Sequence, residues 1–222
     1  MAINWYQAVL AVGALGTAAT GLVDTTKVFA GGISRVGFGY IKRLITRTVV
    51  RAGGAQPGGG LAPGDILATL LANWMNGMGT GAQKSIAKSF IKLHLNADTA
   101  GALARETNVS AEMLTSVAQK LATVDPLSQA ESDAFGRFDV ALSAMVDNAY
   151  ERADQLYRNS CKGLAALFAV GLAFVGNVQM GNALHAWEVL LVGLIATPLA
   201  PVAKDLANAI QTASDAVRSV KG

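Results

Sequence analysis

Apolar and polar positions along this chain fall into three regimes. Three stretches, Asn4–Val23, Gly163–Met180 and Ala186–Ala203, run almost without charge. At 1.5 Å per residue each is long enough for about 27–30 Å of helix, the thickness of a bilayer's hydrocarbon core. Over 40–51 and 65–121, apolar residues instead recur every three or four positions with polar residues between them, the period of amphipathic helices. The segment 52–64, AGGAQPGGGLAPG, follows neither pattern and reads as a flexible linker.

From Leu127 to about Val175 no proline interrupts a helical pattern. Within it Phe135, Phe138, Leu142, Met145, Ala149, Arg152 and Leu156 alternate spacings of three and four, a heptad seam with one polar member. The seam has two readings: packing on the helices of 65–123, or packing on copies of itself. The apolar stretches on either side of Gly181–Asn182 predict a hairpin with a short turn. The division expected is a first span with a juxtamembrane amphipathic segment (1–51), a linker (52–64), a helical module (65–126), a long stalk helix (127–162), and a C-terminal hairpin with its tail (163–222). The fold class is all-α: a helical membrane protein with three transmembrane helices.

Charge sharpens this picture. Fifteen of the eighteen Lys and Arg residues lie from Lys27 to Lys162, and the other three, Lys204, Arg218 and Lys221, follow the last span. None precedes the first span or separates the second from the third. The positive-inside bias then predicts a bacterial inner-membrane protein with its N-terminus outside, Trp5 and Tyr6 at the outer interface, and its C-terminus in the cytosol. The N-terminus lacks the basic n-region of a signal peptide and is expected to stay as an anchor. Only 15% of residues are charged and the mean hydropathy is +0.38, well away from an ordinary soluble composition.

Small residues at four-residue spacing, Gly13, Thr17 and Gly21 in the first span and Ala165, Ala169 and Ala173 in the second, are candidate helix-packing faces. Lys42, Arg43, Arg47 and Arg51, set among Ile41, Leu44, Ile45, Val49 and Val50, read either as a lipid-facing basic stripe on the inner leaflet or as the solvated side of a packed helix. Lys84, Lys88 and Lys92 form a second stripe, solvated or facing an acidic partner. Asn177, Gln179, His185 and Glu188 gather at the outer turn and form a candidate polar ring if several copies assemble.

Candidate chemistry is sparse. His94 and His185 fall in no metal-ligand cluster, no Gly-rich phosphate loop follows a strand, and no catalytic set stands out, so no enzyme activity and no cofactor are expected. The single cysteine, Cys161, excludes an intrachain disulfide. The stretch Ala102–Ser110 mimics the turn of a helix-turn-helix, but the following helix carries Glu112 and only one base, Lys120, so no nucleic-acid partner is expected.

The strings Gly136-Arg137-Phe138-Asp139, Glu151-Arg152-Ala153-Asp154-Gln155-Leu156-Tyr157-Arg158-Asn159 and Ala196-Thr197-Pro198-Leu199-Ala200-Pro201-Val202-Ala203-Lys204-Asp205-Leu206 resemble those of a group of bacterial integral membrane proteins to which no activity is attached. Asn73-Trp74-Met75-Asn76-Gly77 and Gln83-Lys84-Ser85-Ile86-Ala87-Lys88 extend the likeness into the first half. The resemblance implies a membrane protein and adds no functional residues. The expected function is a homo-oligomeric, lipid-embedded anchor or scaffold for a cytosolic protein complex; the alternative is an oligomeric pore or membrane-perturbing effector gated by the cytosolic helices.

Overall fold

Short polar side chains, prolines and glycines mark where the helices begin and end. The computed structural model describes residues 5–28, 31–53 and 61–221, and the regular structure among them is all helical. Helix α1 spans Trp5–Thr26. A 3-10 turn, Gly32–Arg35, leads to α2, Phe38–Ile45, which runs through a π-helical turn, Thr46–Val50, into α3, Arg51–Gly53. Helix α4, Pro63–Met75, starts on a proline whose missing N–H would have no partner there anyway. Helix α5 spans Thr80–Leu93.

The later helices are capped in ways their sequence allows. Asn96 opens α6, Ala97–Thr107: its side chain accepts from the N–H groups of Asp98 and Thr99, and its own N–H donates to the Thr99 hydroxyl at 3.0 Å. Ser110 opens α7, Ala111–Thr123. Ser128 and Glu131 open α8, Gln129–Gln179, with the Ser128 N–H donating to the Glu131 carboxylate at 2.7 Å. Helix α9, Ala186–Lys221, carries Pro198 and Pro201 in its interior. Three helices, Gln7–Thr26, Gln129–Gln179 and Ala186–Thr212, are long enough and each holds an apolar window sufficient to cross a membrane, by length and composition; in α8 the charged residues up to Lys162 confine that window to its C-terminal end. Gly- and Pro-rich residues 54–60, the heart of the expected linker, lie outside the described residues, as do the side chains of Trp5 and Tyr6.

The chain divides into two units, Ser34–Tyr157 and a second made of Met1–Ile33 with Arg158–Gly222. The boundary falls within α8. The basic segment Tyr40–Arg51, expected beside the first span, belongs instead to the unit of the helical module.

That unit, Ser34–Tyr157, has an ordinary core. Ile41, Ile45, Ile66, Leu103, Leu114 and Phe138 are fully buried in one cluster. Removing water from a side chain of this size contributes about 1.5–3 kcal/mol. Tyr150, also fully buried, donates its hydroxyl to the Gln83 carbonyl at 3.3 Å, and the Trp74 indole packs edge-on against it while donating to the Ser34 carbonyl at 2.8 Å. Gly37, at φ 94°, brings the start of α2 against the α8 backbone at Ala153; any Cβ there would strike the Ala153 carbonyl.

The other unit is packed by small residues. Ala19, Ala169 and Ala196, one from each of α1, α8 and α9, are fully buried together. Gly193 lies against the α8 backbone, where an added Cβ would sit 2.5 Å from the Val170 Cα. Gly16 faces the Ala196 carbonyl and Gly13 faces Ala203. As numbers rise along α1 they fall along α9, so the two helices meet antiparallel. The expected topology, with the N-terminus outside, sends both across in the same direction; the seat of α1 on α9 runs the other way. The face of α1 is also rotated from the expected one. Gly13, Gly16, Ala19 and Val23 are buried, whereas Thr17 and Gly21 are exposed and no atom stands within 4 Å of a Cβ on Gly21. On α8, Ala165 and Ala169 are buried and Ala173 half-buried.

Candidate functional site

Helix α2 and the π-helical turn bury Phe38, Ile41, Leu44, Ile45, Thr48 and Val49 on one side. Their other side necessarily carries Lys42, Arg43, Arg47 and Arg51, all exposed. Facing them across a groove of about 430 Å³ is α8, which contributes Met145, Asn148 and Arg152. Three arginines, Arg43, Arg47 and Arg152, thus line the groove, with the Arg43 guanidinium carbon over the Tyr40 ring, 5.9 Å from its centroid. A second hollow of about 360 Å³ shares Arg43 and Arg47 and is lined also by Lys42 and Arg51. Among the described residues no carboxylate pairs with Arg43, Arg47 or Arg152. Fixed positive charge with planar donors suits an anion with several oxygens.

Arg152 reaches this groove because the seam of α8 is rotated from the heptad pattern. Phe138, Leu142 and Ala149 are buried and Phe135 and Met145 pack beside them, but Arg152 and Leu156 are exposed. Val146, Tyr150 and Ala153 complete the buried face. It packs into the core of its own chain, so the coiled-coil pairing of copies that the heptads suggested lacks a free seam here.

The lysine stripe of α5 meets carboxylates on α8. Lys84 lies 2.9 Å from Glu151 and 3.1 Å from Asp147, Lys88 lies 2.7 Å from Asp139, and Lys92 pairs with the other oxygen of Asp139. The Glu151 hydrogen bond, aided by Asp147, holds the Lys84 pKa above its ordinary 10.5. Lys88 and Lys92 together hold the Asp139 carboxyl below its ordinary range. At the start of α8, remote from its apolar stretch, Glu131 accepts from Lys120 at 2.7 Å, from Ser116 at 2.6 Å and from the Ser128 backbone, which together hold its carboxyl far below the usual range. The lysine–carboxylate pairs do not follow from spacing along one helix, and their only signal in sequence is two stripes of opposite sign; for Glu131 only the Ser128 contact is local.

At the hairpin turn the four polar residues do not form one cluster: His185 and Glu188 meet, with the His185 Nδ1 3.3 Å from the Glu188 carboxylate, while Asn177 bonds elsewhere. Gly181 and Asn182 both adopt left-handed φ, 74° and 58°, to make the tight reversal. Asn177 is buried and spans it: its amide donates to the Leu184 carbonyl at 3.1 Å and accepts from the Leu184 N–H at 2.9 Å. Glu188 caps α9 by accepting from the His185 N–H at 2.8 Å. Gln179 and His185 are exposed. Asn177 and Glu188 are thus occupied in closing the turn.

Among the described residues no group of three or more His, Cys, Asp or Glu is arranged to hold a metal ion. Helices α6 and α7, which carry the helix-turn-helix mimic, bury Leu103, Leu114 and Val117 in the module core. Searches against protein-family models, curated proteins and solved structures each returned no match to this chain.

Proposed function

We propose that this chain is a membrane-embedded helical scaffold that holds the Ser34–Tyr157 module at a lipid surface, where the module docks a cytosolic protein partner. One observation carries the reading. In α9 and the apolar end of α8 the residues turned inward are mostly small, Ala165, Ala169, Gly193, Ala196, Ala200 and Ala203, and most large apolar residues face out: Leu167 is 70% exposed, Trp187 62%, Val175 60%, and Leu190, Leu191, Leu194 and Ile195 are all exposed. Water does not tolerate a contiguous apolar surface of that kind, and lipid does. Lys162 and Lys204 bracket the hairpin and favour its two ends on the cytosolic side of a bacterial inner membrane. Helix α1 is left out of this orientation because of its antiparallel seat on α9.

Homo-oligomerisation through the outward apolar face is part of this proposal. A pore is the second reading, favoured by the exposed Gln179 and His185 at the hairpin tip. Ion flux through liposomes carrying the purified protein, lost in Gln179→Leu, would move the assignment to the pore. The scaffold reading is tested by alkaline washing of membranes: the chain stays with lipid, and Leu190→Lys/Leu194→Lys releases it. A chain that remains monodisperse in buffer without detergent overturns the proposal.

A further inference from the structure

We infer that the groove between α2, its π-helical turn and α8 binds the phosphate headgroup of an anionic lipid, with Arg43, Arg47 and Arg152 as its ligands. The inference rests on the membrane reading above and names what the module touches there. Four observations support it. The three guanidinium groups come from two separate elements, α2 with its π-helical turn and α8, so they are brought together by the tertiary fold and not by the repeat of one helix. None of the three is neutralised by a carboxylate, although α8 carries Asp139, Asp147 and Glu151 on its neighbouring side; those acids are taken by Lys84, Lys88 and Lys92. The volume, about 430 Å³, admits a glycerophosphate-sized group. The lining places donors of other kinds beside the arginines, the Asn148 amide and the Tyr40 ring with its hydroxyl.

The chemistry selects phosphate over carboxylate. Each guanidinium offers two parallel N–H groups, and a phosphate has enough oxygens to accept from three such forks at once. A lipid is favoured over a free anion for a positional reason: exposed Lys42 and Arg51 line a second hollow that shares Arg43 and Arg47, so the positive surface extends beyond the groove, which suits a plane of anionic headgroups beyond the one that is bound. Apolar Met145 and Leu44 at the groove wall suit the glycerol backbone.

The test uses the full chain in neutral-detergent micelles, with bound lipid counted by native mass spectrometry. Phosphatidylglycerol is compared with phosphatidylcholine of the same acyl chains. Arg43→Gln/Arg152→Gln is compared with Arg105→Gln/Arg137→Gln, which removes the same charge from exposed positions outside the groove. The expected result is an apparent Kd for phosphatidylglycerol weakened at least tenfold in the groove variant and changed less than twofold in the other, with unchanged helical circular dichroism in both. Equal loss in the two variants, or equal binding of phosphatidylcholine, overturns the inference. Displacement of the lipid by an equal concentration of inorganic phosphate overturns the lipid assignment. Membrane retention after alkaline washing is read on the same variants: a chain that leaves the membrane defeats the scaffold reading, whereas one that stays but binds lipids without preference defeats only the groove.

Discussion

The two units solve opposite solvation problems with the same secondary structure. In Ser34–Tyr157, Phe138, Ile66 and Leu103 are fully buried and most charged residues lie outside, the paired Glu131 being buried. In the other unit Ala19, Ala169 and Ala196 hold the centre while Leu167, Trp187 and Leu194 point away from it. Helix against helix, the first gains from removing apolar area from water. The second gains from close contact between backbones, which glycine and alanine permit, because apolar surface has little to gain by leaving lipid. A residue of one type therefore has a different value in each unit, and this is measurable.

The largest contrast is between large apolar residues. Phe138→Ala in the module is expected to cost about 3–5 kcal/mol, seen as an earlier chemical-denaturation midpoint of the purified chain. Leu167→Ala, 70% exposed, is expected to leave that midpoint within about 0.5 kcal/mol. Equal effects would remove the distinction between the units. Small-to-large changes should reverse the order. Gly193→Val drives a side chain into the α8 backbone at Val170 and should cost about 1–3 kcal/mol, read as an earlier chemical-denaturation midpoint. Gly136→Ala in the module, with no atom within 4 Å of the new Cβ, should slightly stabilise its helix.

Smaller effects come from the ionic contacts, which only the module uses widely. The Glu131 carboxyl is held below its ordinary value of 4.5, so its contribution is complete above that pH and disappears as the pH falls through the folded-state value. Thermal melts taken downward from pH 5 should lose stability progressively, and Glu131→Gln should flatten that limb of the curve. Lys84→Met removes an exposed pair from Glu151 and Asp147 and is expected to change stability by less than about 1 kcal/mol. A larger loss would show that the α5–α8 ladder acts as a network.

Much of the helical layout was legible in the sequence, because the apolar runs and Gly181–Asn182 are local signals. The interior faces were legible only in part, and α1 shows why. A step of four residues turns a helix by 400°, so Gly13, Thr17 and Gly21 drift about 40° per step in one direction. The buried face drifts the other way, through Gly16 and Ala19, because α9 approaches from that side. Which neighbour approaches is a long-range fact that one helix's pattern does not hold. The groove shows the same limit. Arg43 and Arg47 stood out as a basic stripe, whereas Arg152, more than a hundred residues later, looked like a polar flaw in a seam until α8 was seen to turn it toward them. The likeness of Lys84–Lys92 to a solvated stripe likewise dissolves against Asp139, Asp147 and Glu151.

The Asn177 side chain has a consequence for how the hairpin enters a bilayer. A reversal of direction leaves backbone donors and acceptors without helical partners, and carrying them through hydrocarbon costs several kcal/mol apiece. Asn177 answers both polar atoms of Leu184 from within the turn, and Glu188 answers the His185 N–H. The backbone at the tip is therefore partly paired within the turn, and the exposed side chains of Gln179, Asn182 and His185 make up its remaining polar load.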